Sequence, residues 1–222
     1  MAQEENISIT SLWMNRHSDL YRSAIRAPFI LAIRDGSLDF QSYTRWLAQD
    51  YLYVKSFVRY LASILAKAPG SASDEEVDAL LGGLNALQDE LRWFRSQASK
   101  WDLSLQNTAI HDTTQRYCKF LSELSETQVE YPAALAALWI IEAVYNESFA
   151  TCLEKDAKTA PELQEACGRW GNAEFGGYCT LLKGLADKAL ENASPAVREA
   201  AESYFEQVLK HEIDFWSMSF YK

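Results

Sequence analysis

Nine apolar residues in a row, "AALAALWII" at 133–141, run directly into Glu142. Pro132 suits the first turn of a helix, and Tyr145 and Phe149 carry the apolar character past the acid. A helix apolar on every face is a buried helix. The rest of the chain therefore has to be arranged around this segment. Burying an ionised carboxylate costs several kcal/mol unless it is paired or hydrogen-bonded, so Glu142 is not explained by packing.

The surroundings read as helical too. Apolar residues recur at steps of three and four, and no stretch alternates like a strand between turn residues. A first helix is predicted over 10–27, with Leu12, Trp13, Leu20 and Ile25 facing inward. Pro28 opens a short apolar piece, "PFILAIRDG", which Gly36 stops. A long helix follows over 40–68 and ends at Pro69-Gly70. Ser73 with Glu76 has capping-box spacing for a helix that carries Val77, Leu80, Leu84, Leu87, Leu91 and Phe94. A loop near 100–112 leads to a short helix with Tyr117, Phe120, Leu121 and Leu124. Pro161 starts another helix, interrupted by Gly171 and resuming to about Asn192. Ser194-Pro195 is an N-cap followed by proline at the first helical position, and the last helix runs nearly to the C-terminus. No repeat or linker divides the 222 residues, so one all-α domain, a helical bundle over 1–222, is expected.

The formal net charge of −10 argues against nucleic acid and anionic membranes as partners. The start, "MAQEENISIT", has neither a basic segment nor an apolar core, so no secretory signal is read. No apolar run approaches the ~18 residues of a membrane span. Cys118, Cys152, Cys167 and Cys179 show no metal spacing and read as small core or boundary residues. A cytoplasmic protein with free thiols is expected.

Periodicity then isolates three acids. The stripe Tyr43, Leu47, Asp50, Val54, Phe57, Leu61, Leu65 lies on one helix face. So do Leu135, Leu138, Glu142, Tyr145, Phe149, and Val197, Ala201, Tyr204, Val208, Glu212, Phe215, Met218. Each apolar row is broken by a single carboxylate, and core faces offer no matching set of Lys or Arg. Three such acids cannot all stay ionised without donors. A donor-rich or cationic ligand in a cavity would supply them. Trp46, Tyr53, Tyr145 and Phe215 each lie one turn from one of these acids, which suits a flat heteroaromatic ring bearing amino groups. Each aromatic also fits simple core packing.

Metal chemistry fits less well. Di-iron bundles draw on Glu-x-x-His pairs, whereas the residues three before His17, His111 and His211 are Met14, Thr108 and Val208. His17 is a candidate haem ligand, but the polar patch "NRHSD" around it suits a solvated or boundary histidine. "HEIDFW" lacks HExxH spacing, and there is no phosphate-binding loop or nucleophile elbow. No metal or other cofactor is expected.

Several blocks resemble the TenA/thiaminase II family. "PFILAIRDGSLDFQSYTRWLAQDYLYVKSFVRYLA" is similar to its second block, "TTQRYCKFL" and "RWGNAEF" to later ones, and "HEIDFWSMSFY" to its closing segment. Trp170 stands where many members have tyrosine. Together these span nearly the whole chain in the family's order. The resemblance implies a haem-oxygenase-like bundle without haem, a homo-oligomer, and a thiamin-derived aminopyrimidine as substrate. By motif match, Asp50 holds the aminopyrimidine, Tyr53 and Tyr117 are pocket tyrosines, and Glu212 handles protons at the leaving group.

One departure matters. Most bacterial members carry a nucleophilic cysteine, with tyrosine four residues later, on the helix that here holds Glu142. Matching that tyrosine to Tyr145 puts Ile141 at the cysteine position, whereas the core stripe favours Glu142. Cys152 lies ten residues past Glu142, ~15 Å along a helix, too far to substitute. The pattern resembles the cysteine-less, glutamate-bearing branch known mainly from plants. That branch implies hydrolysis of N-formyl and free 4-amino-5-aminomethyl-2-methylpyrimidine to the 5-hydroxymethyl compound. Glu142 and Glu212 are then the expected catalytic pair. Asp50, Tyr53, Tyr117, Tyr145, Trp46, Trp170 and Phe215 are the expected substrate-binding set. Thiamin cleavage with glutamate as nucleophile, and a non-catalytic aminopyrimidine-binding protein, are the alternatives.

Overall fold

The apolar segment forms a helix over Tyr131–Thr151 that lies at the centre of the molecule. The computed structural model describes residues 7–220. The first six residues, used above in reading for a signal segment, and Tyr221 of the closing block lie outside the described residues. In chain order the helices are α1 (Ile9–Arg16), α2 (Ser18–Ile25), α3 (Pro28–Arg34), α4 (Phe40–Lys67), α5 (Asp74–Lys100), α6 (Asp112–Ser125), α7 (Tyr131–Thr151), α8 (Pro161–Trp170), α9 (Ala173–Glu191) and α10 (Pro195–Met218). No strand occurs among the described residues, and none of the helices is long and apolar enough to cross a membrane.

α7 packs along α9 and α10 and is also touched by α2, α3, α4 and α8. α4 packs along α5 and α6. Between these two groups α4 and α7 meet over a short stretch only, and the site lies there. The helix ends follow local chemistry. Asp39 caps α4 by accepting the Ser42 N–H at 2.9 Å, Asn172 caps α9 through Phe175 N–H at 2.9 Å, and Ser194 caps α10. Gly36, at φ +70°, ends α3. A Cβ there would sit 2.5 Å from the Lys158 carbonyl oxygen.

Three expectations need correction. The first helix is two, broken at His17. The His17 ring is drawn to Glu202 of α10 (Nε2 to Oε1, 3.1 Å) and lies against Phe205. Leu12 faces outward at 44% exposure. α1 docks instead through Trp13 and through Thr10, whose hydroxyl donates to Asp187 of α9 at 2.7 Å. The capping box is half formed. Ser73 accepts from Glu76 N–H, but the Glu76 carboxylate is taken by the Tyr131 hydroxyl of α7. Cys152, Cys167 and Cys179 are buried, Cys118 is partly so, and all four are free thiols.

The interruption at Gly171 has a steric cause. A Cβ there would lie 2.6 Å from both Ala150 N and Phe149 C of α7, backbone that has nowhere to move. Asn146 of α7 secures the same junction, donating to the carbonyls of Trp170 at 2.7 Å and Asn172 at 3.2 Å. Gly171→Ala should therefore cost about 1–3 kcal/mol or more. Gly177→Ala, in α9 with open space around it, should be neutral or stabilising by up to ~1 kcal/mol. Urea denaturation of both variants against the parent checks this.

Candidate active site

α4 presents Asp50, Tyr53, Val54 and Phe57 on one face. Opposite them stand Ile141, Glu142 and Tyr145 of α7, with Leu87 and Glu90 of α5 and Trp170 at the end of α8. These ten side chains enclose a small inner cavity with about 20 Å³ of free space, room for roughly one water molecule. Asp50 is fully buried. Its Oδ1 accepts the Tyr145 hydroxyl at 2.9 Å, and its Oδ2 has no partner among the described residues. Burial pushes its pKa well above the usual carboxylate range. The Glu90 charge adds to this, the Tyr145 bond opposes it, and Glu212 adds a further push.

Leu87, Glu90 and Glu142 also line a second, outer cleft of about 250 Å³ between α5, α7 and α9. The half-buried Glu142 carboxyl thus stands between an interior chamber and an opening to the surface. Burial, then Glu90 and Glu212, push its pKa well up. At the far side of the cleft Tyr178 reaches across to Gly83, where a Cβ would meet its hydroxyl at 2.5 Å. No Lys or Arg lines either space among the described residues.

The other expected site residues form a layer behind the cavity. Glu212 is fully buried; its Oε1 accepts the Tyr117 hydroxyl at 2.5 Å and its Oε2 is unpartnered among the described residues. Burial raises its pKa to about 8 against the pull of that hydrogen bond. The Tyr117 ring lies 4.7 Å from Tyr53 and stacks on His211. Phe215 sits 5.4 Å from Tyr53. Trp46 meets Trp170 edge-on at 5.8 Å. The structure thus places Asp50, Tyr53, Glu142, Tyr145 and Trp170 on the cavity wall. Trp46, Tyr117, Glu212 and Phe215 support it from behind. Ile141 and Glu142 both line the chamber, and only Glu142 of the two also lines the outer cleft.

Glu90 is absent from the residues singled out above. It accepts the Trp170 indole N–H at 3.4 Å, and burial raises its pKa to about 7, opposed by that bond and by Arg169. The stripe Leu80, Gly83, Leu87, Glu90, Phe94, Gln97 carries it, with the same single acid on an inward row. The neighbouring row through Leu84 and Leu91 hid it. Among the described residues no group of three or more His, Cys, Asp or Glu is disposed to hold a metal ion.

An all-helical bundle with a small inner cavity between aromatic walls and carboxyls is an arrangement of the haem-oxygenase-like fold class. Solved structures agree on the fold. A TenA homologue from Pyrococcus furiosus superposes with a TM-score of 0.88 at 22% identity, over 96% of this chain and all of that one. The haem oxygenase of Leptospira interrogans gives 0.58 at 18% identity, over 95% of this chain and 99% of that one. The chain belongs to the TENA/THI-4/PQQC family, which matches residues 14–222. A "probable bifunctional TENA-E protein" of Glycine max is 43% identical over 98% of this chain and 96% of its own length.

The raised acids have a consequence for stability. Glutamates titrate ordinarily near 4.5, but Glu90 is held to about 7 and Glu212 to about 8. Between about pH 4.5 and 8 the folded state therefore binds more protons than the unfolded chain, and stability falls as pH rises through that window. Each group contributes at most ~1.4 kcal/mol per pH unit. Glu212→Gln, which copies the protonated form, should flatten the decline and leave the variant the more stable protein above pH 8. Denaturation measured from pH 4.5 to 9 reads this directly.

Proposed function

We propose that this protein is a thiamin-salvage hydrolase. Its substrates are N-formyl-4-amino-5-aminomethyl-2-methylpyrimidine and the free amine, and its product is 4-amino-5-hydroxymethyl-2-methylpyrimidine. The observation that carries this reading is the position of Glu142, its carboxyl shared between a chamber that ends on Asp50 and a cleft that opens outward. The likeness to the soybean TENA-E protein supports the same branch of the family.

In this reading the pyrimidine ring lies in the inner chamber between Tyr53, Tyr145 and Trp170. The unpartnered Oδ2 of Asp50 accepts the ring's amino edge. A ring is larger than the free space there, so binding widens the chamber at the wall it shares with the cleft. The exocyclic substituent points past Glu142 toward the cleft and its water. In the first step Glu142 takes a proton from water as the oxygen attacks the formyl carbon. The C–N bond of the amide then breaks as Glu142 returns that proton to the leaving nitrogen, releasing formate and the amine and freeing Glu142 for the next step. In the second step water attacks the CH₂ carbon, Glu142 accepts its proton, and the C–N bond breaks with nitrogen leaving as ammonia. Glu212, protonated up to about pH 8, is the reserve that keeps the departing nitrogen protonated.

General base assistance is worth about 10²–10⁴-fold. Glu142→Gln should therefore lower kcat on both compounds by about that much, measured as formate, ammonia and hydroxymethylpyrimidine released. Unchanged turnover would remove Glu142 from the mechanism. Release of free thiazole from thiamin at comparable rates would replace this reading with the thiaminase one. Binding without turnover of any of the three compounds would make it a carrier.

A further inference from the structure

Glu90 faces Glu142 across the passage between chamber and cleft, from α5 rather than α7, and lines both spaces. Its orientation is fixed. Trp170 donates to Oε2, and that indole is itself wedged edge-on between Trp46 (84°) and Trp93 (88°). Asp50, deeper in the same chamber, turns an unpartnered, fully buried Oδ2 into it. The charged groups around Glu90 are Asp50 on α4, Glu142 on α7, Arg169 on α8 and, lining the outer cleft with it, Glu174 on α9. Arg169 holds its guanidinium over Trp93 and lines neither space. Two carboxyls facing one another at a narrow point repel when both ionise, and a cation between them removes that penalty.

Resting on the function proposed above, we infer that Glu90 is the specificity-determining residue for the charged substrate. It holds the exocyclic ammonium of the free aminomethylpyrimidine at the passage, opposite Glu142, and gives no comparable attraction to the neutral formamide. Held there, the nitrogen keeps its three protons and leaves as ammonia when the C–N bond breaks, while the water proton goes to Glu142. The two substrates then share Asp50 and Glu142 but differ in their use of Glu90.

The test compares Glu90→Gln with the parent on both substrates. The ratio of kcat/KM for the free amine to that for the formyl compound should fall about 10–100-fold, the range expected for loss of a charge-assisted contact. Most of the loss should lie in KM. Glu90→Asp should restore part of the ratio, and a circular-dichroism melt of each variant separates misfolding from loss of the contact. An unchanged ratio, with both substrates affected alike or neither affected, overturns the inference. Equilibrium binding followed by tryptophan fluorescence keeps the two proposals apart. The parent should prefer the cationic aminomethylpyrimidine over the neutral hydroxymethyl compound, and Glu90→Gln should lose that preference. If the parent binds with this preference but hydrolyses neither substrate, the hydrolase reading fails and the role of Glu90 stands. If the preference is absent from the parent, the role of Glu90 fails whatever the turnover.

Discussion

The hydrogen bond from Tyr145 to Asp50 ties the α4 and α7 walls of the chamber together, and farther along the same two helices the Tyr60 hydroxyl donates to the Ala134 carbonyl at 2.6 Å. A fully buried carboxyl needs donors, and Asp50 has one where it has room for more. That shortfall gives the chamber its chemistry. Each neighbouring carboxyl adds to the cost of ionisation, so the pKa values of Asp50 and Glu142 lie well above the usual carboxylate range. Aromatic rings around the acids keep water out and supply flat walls without supplying cations. The aminopyrimidine of the proposed function carries N–H groups suited to the unpartnered Oδ2 of Asp50.

Two spaces meet at one wall, and on the proposed function they separate recognition from reaction. The inner end is enclosed and can discriminate by shape and hydrogen bonding. The outer end opens to the surface and gives water a path in. Leu87, Glu90 and Glu142 belong to both, so on the proposed function the groups beside the scissile substituent also stand at the passage. Behind them Glu212 and Tyr117 form a second layer that acts on the chamber through charge and through the Tyr53 ring.

Much of this was legible in the sequence because the core helices are strongly patterned. An acid alone on an apolar row has few places to go, and Asp50, Glu142 and Glu212 were found that way. The capping residues at 39, 172 and 194 act over one turn, so the starts of α4, α9 and α10 fall where local chemistry puts them. Depth was not legible. Periodicity assigns a face, and only tertiary packing separates Tyr53 on the wall from Trp46 and Phe215 behind it. Glu90 was obscured because α5 carries two adjacent apolar rows and the sequence does not say which turns inward. The break at His17 depends on Glu202, 185 residues away, and no local pattern contains it.

The junction between α8 and α9 decides which side of the chamber can yield. Gly171 brings one backbone against another without side chains between them, and Asn146 ties both flanking carbonyls. Trp170 is therefore mounted on a stiff hinge plate and is poorly suited to swing as a door. The opposite wall is carried by α5, where Gly83 leaves room for the Tyr178 hydroxyl of α9. On the proposed function, the widening that admits a ring then falls to the α5 side, where it is the end of a tyrosine side chain that meets Gly83.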